Sequence, residues 1–165
     1  MLNKKVSYIY YIIATFFGVG FLPKAPGTFA SIIALIPLLF IPFSLKFFIL
    51  TISILIITFI SIPIINYIEQ QHGSDAQIIV IDEVIGILII YISPIIPITT
   101  LSLIIGLILF RIFDISKPWI IGKLNKKKGA MYVILDDIIA GIFSAIILHI
   151  FYFIYRFIFL IYLLE

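Results

Sequence analysis

"VIGILIIYISPIIPITTLSLIIGLILFRIF", from Val84 to Phe113, is 30 residues long. An upright membrane helix needs about 20 apolar residues, so the run is too long for one crossing and short for two. "SPIIPIT" (Ser93 to Thr99) lies at its middle. Pro94 and Pro97 each lack a backbone donor and disfavour helix in the residue before them. The run therefore reads as two short helices, Asp82 to Ile92 and Thr99 to Phe113, joined by a turn.

Charge placement favours the same hairpin. It puts Lys4, Lys5, Lys24, Arg111, Lys117, Lys123, Lys126, Lys127 and Lys128 on one face, nine of the eleven basic residues, leaving Lys46 and Arg156 elsewhere. Positively charged loops stay cytoplasmic, so this face is expected inside. A single bent span would split the basic residues between the two sides. The hairpin also gathers Glu69, Asp75, Asp82, Glu83, Asp114, Asp136 and Asp137 at that edge, with only Glu165 apart.

The whole chain suits this setting. Its 165 residues are 64% hydrophobic and 12% charged, whereas soluble domains are about a quarter charged. Mean hydropathy is +1.32, and the chain reads as a single domain over residues 1–165. With no cysteine there is no disulfide, thiolate metal site or cysteine nucleophile. A net charge of +3 gives no sign of a nucleic-acid partner, and nothing signals an oligomeric state. Further spans are expected at Thr28 to Phe43 (interrupted by Pro37) and Phe47 to Asn66. Tyr132 to Leu164 follows, about 50 Å long as one helix, so part of it must tilt, kink or lie along the interface. The opening "MLNKKVSYIYYIIATFFGVG" has no small-residue cleavage site and reads as an interfacial helix. The expected fold is an all-α, polytopic membrane bundle of about five transmembrane or part-spanning helices plus that N-terminal helix.

Four stretches carry charge against the apolar background. In "VIDEVIG", Asp82 and Glu83 stand where a helix enters the membrane. One carboxylate there complements the helix dipole by up to about 1 kcal/mol, which explains one acid better than two. In "VILDDIIAG", Asp136 and Asp137 interrupt an apolar run. Each would cost roughly 2.5–3.5 kcal/mol at mid-bilayer, less near the interface, and adjacent like charges repel. A shared cation offsets both effects. Neighbours on a helix point about 100° apart, so one of the pair is expected to face a given metal. In "LFRIFDISKP", Arg111 and Asp114 are three apart. They form either an i,i+3 salt bridge, or a set in which Asp114 binds metal while Arg111 and Lys117 take phosphate oxygens. "FGVGFLPKAPGT" is a Gly/Pro loop carrying Lys24 and Gly27 into a helix expected to be capped by Thr28. Such a start can bind an anion through backbone N–H groups, although the Gly-Lys-Ser/Thr ending of a P-loop is absent. His72 reads as a surface residue and His149 as one packed or hydrogen-bonded within its helix, with no metal-ligand spacing between them. Lys126 to Lys128 read as topogenic.

An inventory of carboxylates and cationic groups favours Mg²⁺, which usually binds through one or two carboxylates plus substrate phosphate. Metal-assisted attack of water on a phosphomonoester fits it, and so does a carboxylate nucleophile that passes through an acyl phosphate. A site at the membrane edge suits a phospholipid substrate whose tails stay in the bilayer.

"GVGFLPKAPGTFAS" (Gly18 to Ser31), "DAQIIVIDEVIG" (Asp75 to Gly86), "FRIFDISKPW" (Phe110 to Trp119) and "GAMYVILDDIIAG" (Gly129 to Gly141) resemble, in order and spacing, the phosphatidylglycerophosphatase A family. The resemblance covers about residues 17–145. It implies a Mg²⁺-dependent enzyme of the bacterial inner membrane, active at the cytoplasmic face, that removes the terminal phosphate of phosphatidylglycerol phosphate. On the matching motifs it implies catalytic and metal roles for Asp82, Glu83, Asp114, Asp136 and Asp137. It implies phosphate contacts from Arg111, Lys117, Lys24, Gly27 and Thr28, with Asp75 beside them. The chain departs from the family pattern at Ala30, Ile120, Ala130 and Tyr132, changes in loop flexibility rather than charge. Two other readings stand beside this one. A phosphatase for another lipid phosphate would look the same, since nothing in the sequence reads the glycerol headgroup. A small ion or solute transporter would place acids at several depths, whereas these cluster at one edge.

Overall fold

The computed structural model describes residues 4–74, 76–125 and 127–164. Among them all regular structure is helical: α1 (Lys4–Ala14), α2 (Pro26–Leu35), α3 (Lys46–His72), α4 (Ile81–Ile89), α5 (Thr100–Ser116), α6 (Ile120–Asn125) and α7 (Ala130–Leu164). Asp75, Lys126 and Glu165, singled out in the sequence, lie outside the described residues.

The prolines set the short elements. Pro26 occupies the first turn of α2, where its missing N–H is no loss. The helix therefore starts two residues before the expected Thr28 cap. Its cap position is Ala25, left-handed at φ 47° and with no side-chain cap bond, so Thr28 does not cap the helix. Pro37 cannot continue the α-helical ladder, and Ile36–Phe40 tightens into a 3₁₀ turn. Pro63, by contrast, lies inside α3, which runs on six residues past the expected Asn66 end.

The hairpin forms as the prolines dictate. α4 ends at Ile89, and α5 begins after Thr99, whose hydroxyl accepts from Ser102 N while the Ser102 hydroxyl accepts from Thr99 N. Such a reciprocal cap contributes about 1 kcal/mol. The Tyr91 hydroxyl donates to the Ser102 carbonyl at 2.8 Å and lies over Gly106, where a Cβ would come within 2.0 Å of it. Two more side chains tie down the turn. Lys46, fully buried at the start of α3, donates to the Ile96 carbonyl. His149 on α7 bonds Ser93 Oγ at 2.7 Å through Nε2 and the Ala145 carbonyl through Nδ1. The carbonyl can only accept, so Nδ1 carries a proton.

α4 is the centre of the bundle, packed against α2, α3, α5 and α7. Beyond Asp82 and Glu83 in its first turn its residues are apolar on every side, and Val84, Ile85, Ile87 and Leu88 are all buried. α1 runs alongside the last turns of α3: Ser7 pairs with Tyr67 at 3.0 Å and, a turn later, Tyr11 with His72 at 2.7 Å. α7 is one continuous helix of 35 residues, and its outer half is exposed around its circumference.

Two helical stretches among the described residues, Phe43–His72 and Ala130–Leu163, are long and apolar enough to cross a membrane. The other three expected segments are shorter. Nine residues of α4 reach only about 14 Å, and 17 of α5 about 26 Å. One element was not expected: α6 folds back on the end of α5 so closely that a Cβ on Gly122 would lie 2.6 Å from the Lys117 carbonyl oxygen.

Candidate active site

The site end of the bundle is fixed by glycines. A Cβ on Gly141 of α7 would come 2.3 Å from the Gly86 carbonyl oxygen, and one on Gly86 would lie 2.7 Å from the Asp137 carbonyl oxygen. Only backbones without side chains can approach so closely. One turn before Gly86 stand Asp82 and Glu83, and the contact carries them to Asp137. Carboxylate oxygens of Asp82, Glu83 and Asp137 all lie within 4.8 Å of one another. Asp82 and Asp137 are buried, and Glu83 is half-buried.

Gly27, in the first turn of α2, closes this cluster from a third helix. A Cβ there would fall 2.0 Å from Glu83 Oε1 and 3.2 Å from Arg111 Nη1. Glu83 is thus pressed against the start of α2, with Arg111 beside it.

Two ion pairs flank the acids. Arg111 Nη1 lies 2.7 Å from Asp114 Oδ2. This contact is close in charge but not aligned as a hydrogen bond, because the buried Nη1 and Nε have no hydrogen-bond partner among the described residues. Lys117 Nζ bonds Asp136 Oδ2 at 2.6 Å across two elements. Lys117 caps α5 in the left-handed region at φ 43°, a conformation that costs a non-glycine residue about 1 kcal/mol. Burial opposes its charge, but the hydrogen bond and charge of Asp136, then the charges of Asp137 and Asp114, more than reverse this and raise its pKa. Asp136 and Asp114 also act electrostatically on Asp82, so five carboxylates and two cations form one charged unit.

The sequence-predicted residues therefore divide. Asp82, Glu83 and Asp137 meet, while Asp114 and Asp136 hold the cations at the rim. Thr28 shares an open groove with Arg111. Lys24 is exposed in the loop before α2, and Glu69 stands apart, accepting from Ser74 at 3.3 Å. Sequence reasoning missed Gly141 and Asn66. The signal for Gly141 was the small-residue spacing of Ala140, Gly141, Ser144 and Ala145 on one helix. Asn66 had none: its Oδ1 accepts from Ala130 N at 3.3 Å, capping α7 from α3.

This donor set fits a hard divalent cation. It offers only oxygen, its three carboxylates are close enough for one small ion to bridge, and Asp82 Oδ1 and Glu83 Oε2 are buried with no hydrogen-bond partner among the described residues. Buried polar atoms of a folded protein are normally paired, so two unpaired acceptors in one cluster indicate a ligand.

Residues 12–152 match the family model described as phosphatidylglycerophosphatase A. A Bacteroides thetaiotaomicron protein provisionally named phosphatidylinositol-3-phosphatase is 34% identical over 154 residues, 88% of this chain and 94% of that one. The phosphatidylglycerophosphatase A of Escherichia coli is 34% identical over 152 residues, 88% of this chain and 84% of that one. That of Haemophilus influenzae is 29% identical over 154 residues, 87% of this chain and 90% of that one. No solved structure matches the chain.

Proposed function

This chain belongs to the phosphatidylglycerophosphatase A family, and we propose that it hydrolyses the terminal phosphomonoester of phosphatidylglycerol phosphate in phospholipid biosynthesis. We place it in the bacterial inner membrane as a multi-pass protein with its site at the cytoplasmic face, and assign Mg²⁺ as its cofactor. The observation that carries this reading is the meeting of Asp82, Glu83 and Asp137 within 4.8 Å, beside an arginine whose buried Nε and Nη1 hold no hydrogen bond among the described residues.

Asp82, Glu83 and Asp137 would hold the cation. When bound, Mg²⁺ supplies a Lewis acid against the phosphate oxygens. Asp114 holds Arg111 through charge, and with Nε and Nη1 unpaired among the described residues the guanidinium can take phosphate oxygens. Lys117 adds a second positive charge, positioned by Asp136. The N–H groups at the start of α2, around Gly27 and Thr28, extend the same cradle. In the overall reaction a water oxygen bonds to phosphorus, the phosphorus–ester oxygen bond breaks, and the glycerol oxygen leaves with a proton. Negative charge gathers on phosphate oxygens in the transition state, where fixed cations act most strongly.

A second substrate has a specific observation behind it, the name of the Bacteroides relative. Purified protein should be given phosphatidylglycerol phosphate, phosphatidylinositol 3-phosphate and phosphatidic acid, each with Mg²⁺ and with excess chelator. Fastest Mg²⁺-dependent phosphate release from phosphatidylglycerol phosphate is expected. Preference for the inositol lipid would reassign the substrate, and undiminished turnover under chelation would remove the metal.

A further inference from the structure

Arg111 and Thr28 head a groove of about 550 Å³ between α2 and α5, whose wall continues through Leu107 and Ile108. A second groove of about 200 Å³ lies in the same seam between Ile32 to Leu39 on one side and Thr100 to Leu107 on the other. The two share Leu107 and follow one antiparallel pair of elements, so they form a single furrow. Its head is chemically distinct from its length. Arg111 adjoins Gly27 and Glu83 of the acid cluster, while below Leu107 nearly every wall residue is aliphatic.

We propose that this α2–α5 furrow is the track for one acyl chain of the lipid phosphate substrate, which it orients so that the headgroup meets Arg111. The inference rests on the lipid phosphatase reading and adds where the tail lies. Charge argues for this occupant, since an apolar furrow headed by an arginine suits an amphiphile with an anionic head. Length argues for it too. From Arg111 back to Thr100 is about 16 Å of helix, close to the depth of one leaflet in a hydrocarbon core of about 30 Å. A tail leaving the furrow would enter lipid that is equally apolar, so the furrow adds little affinity. Its contribution is orientation, which belongs to turnover rather than to binding.

Two measurements on the full chain test this. The first uses phosphatidylglycerol phosphate with a diazirine in one acyl chain, photolysed with the wild-type protein in phosphatidylcholine vesicles. Adducts are expected on Ile32–Leu39 and Thr100–Leu107, removed by excess unlabelled lipid phosphate but not by further phosphatidylcholine. Adducts spread evenly over the exposed faces of α3 and α7 would overturn the track, whether or not the protein releases phosphate. The second fills the furrow with Ile104→Trp and Ile108→Trp, at exposed positions that fold can tolerate, with Ile146→Trp on α7 as the control. Turnover of a long-chain substrate should fall about tenfold to a hundredfold, the usual effect of misplacing a reacting group by an ångström. KM, turnover of a dihexanoyl substrate and the control variant should change little. Equal loss on short and long chains would overturn the track while leaving the phosphatase. Specific adducts in the furrow with no phosphate released from any lipid would keep the track and sink the phosphatase.

Discussion

Lys117 Nζ and Asp136 Oδ2 meet at 2.6 Å, whereas Asp137, one residue on, faces Asp82 and Glu83. The two adjacent acids thus have different partners, and their neutral variants should separate. Asp136→Asn weakens the hold on a half-buried ammonium and should cost about 1–3 kcal/mol of stability as well as turnover. Asp137→Asn removes charge from a crowded group of acids and should leave the melting temperature unchanged or raised, with turnover lost. Thermal melts in detergent beside phosphate release would check this. Matching losses of stability in the two variants would contradict the assignment.

Gly27→Ala places a methyl group 2.0 Å from the present position of Glu83 Oε1. The obstructed atom ends a flexible side chain, so the fold can yield by moving the carboxylate. Turnover is expected to fall about a hundredfold with no loss of melting temperature, since alanine favours helix over glycine. A wild-type rate would show that the approach of α2 to Glu83 is irrelevant.

Gly141→Ala should behave in the opposite manner. Its methyl group meets a backbone oxygen, that of Gly86, which cannot rotate away. α4 and α7 must part, at an expected 1–3 kcal/mol or about that. Stability and activity should fall together, as read by the same two assays.

On the proposed assignment the folded cluster binds Mg²⁺ and an unfolded chain does not, so Mg²⁺ should stabilise the protein. At a hundred times Kd the gain is about 2.7 kcal/mol. Melts across a Mg²⁺ series should show it in the wild type and not in Asp137→Asn. Equal rises in both would place the ion elsewhere.

The turn at residues 93–99 and the basic segment after α6 should lie on opposite sides of the membrane. The chain has no cysteine, so Pro97→Cys and Lys127→Cys can be labelled singly in intact cells and in lysed ones. Labelling of both from the same side would defeat the hairpin orientation.

The sequence made part of this molecule legible because some residues act locally. Pro94 and Pro97 break the run wherever it is placed, and adjacent acids on a helix must diverge, as Asp136 and Asp137 do. Thr28 misled for a related reason. A threonine before an apolar run signals a cap, but Pro26 two residues earlier is better suited to the first turn and won. What remained hidden depends on tertiary approach. Nothing local to Gly27 tells that Glu83, 56 residues away, will press against it. α6 is six residues long, too short for a period to show, and it exists because Gly122 lets the chain fold back on Lys117.

α7 has one further consequence. From Asp137, held among α2 and α4 side chains, to Leu163 the helix runs about 39 Å, against a typical hydrocarbon thickness of about 30 Å. In the proposed bilayer setting this is a hydrophobic mismatch of about 9 Å at the end remote from the acids. Thin bilayers would force the helix to lean and would load the Gly86–Gly141 contact, whereas thick ones would let it stand. Phosphate release in vesicles of graded acyl length should therefore rise with thickness, making the protein a gauge of the membrane whose lipid it is proposed to finish.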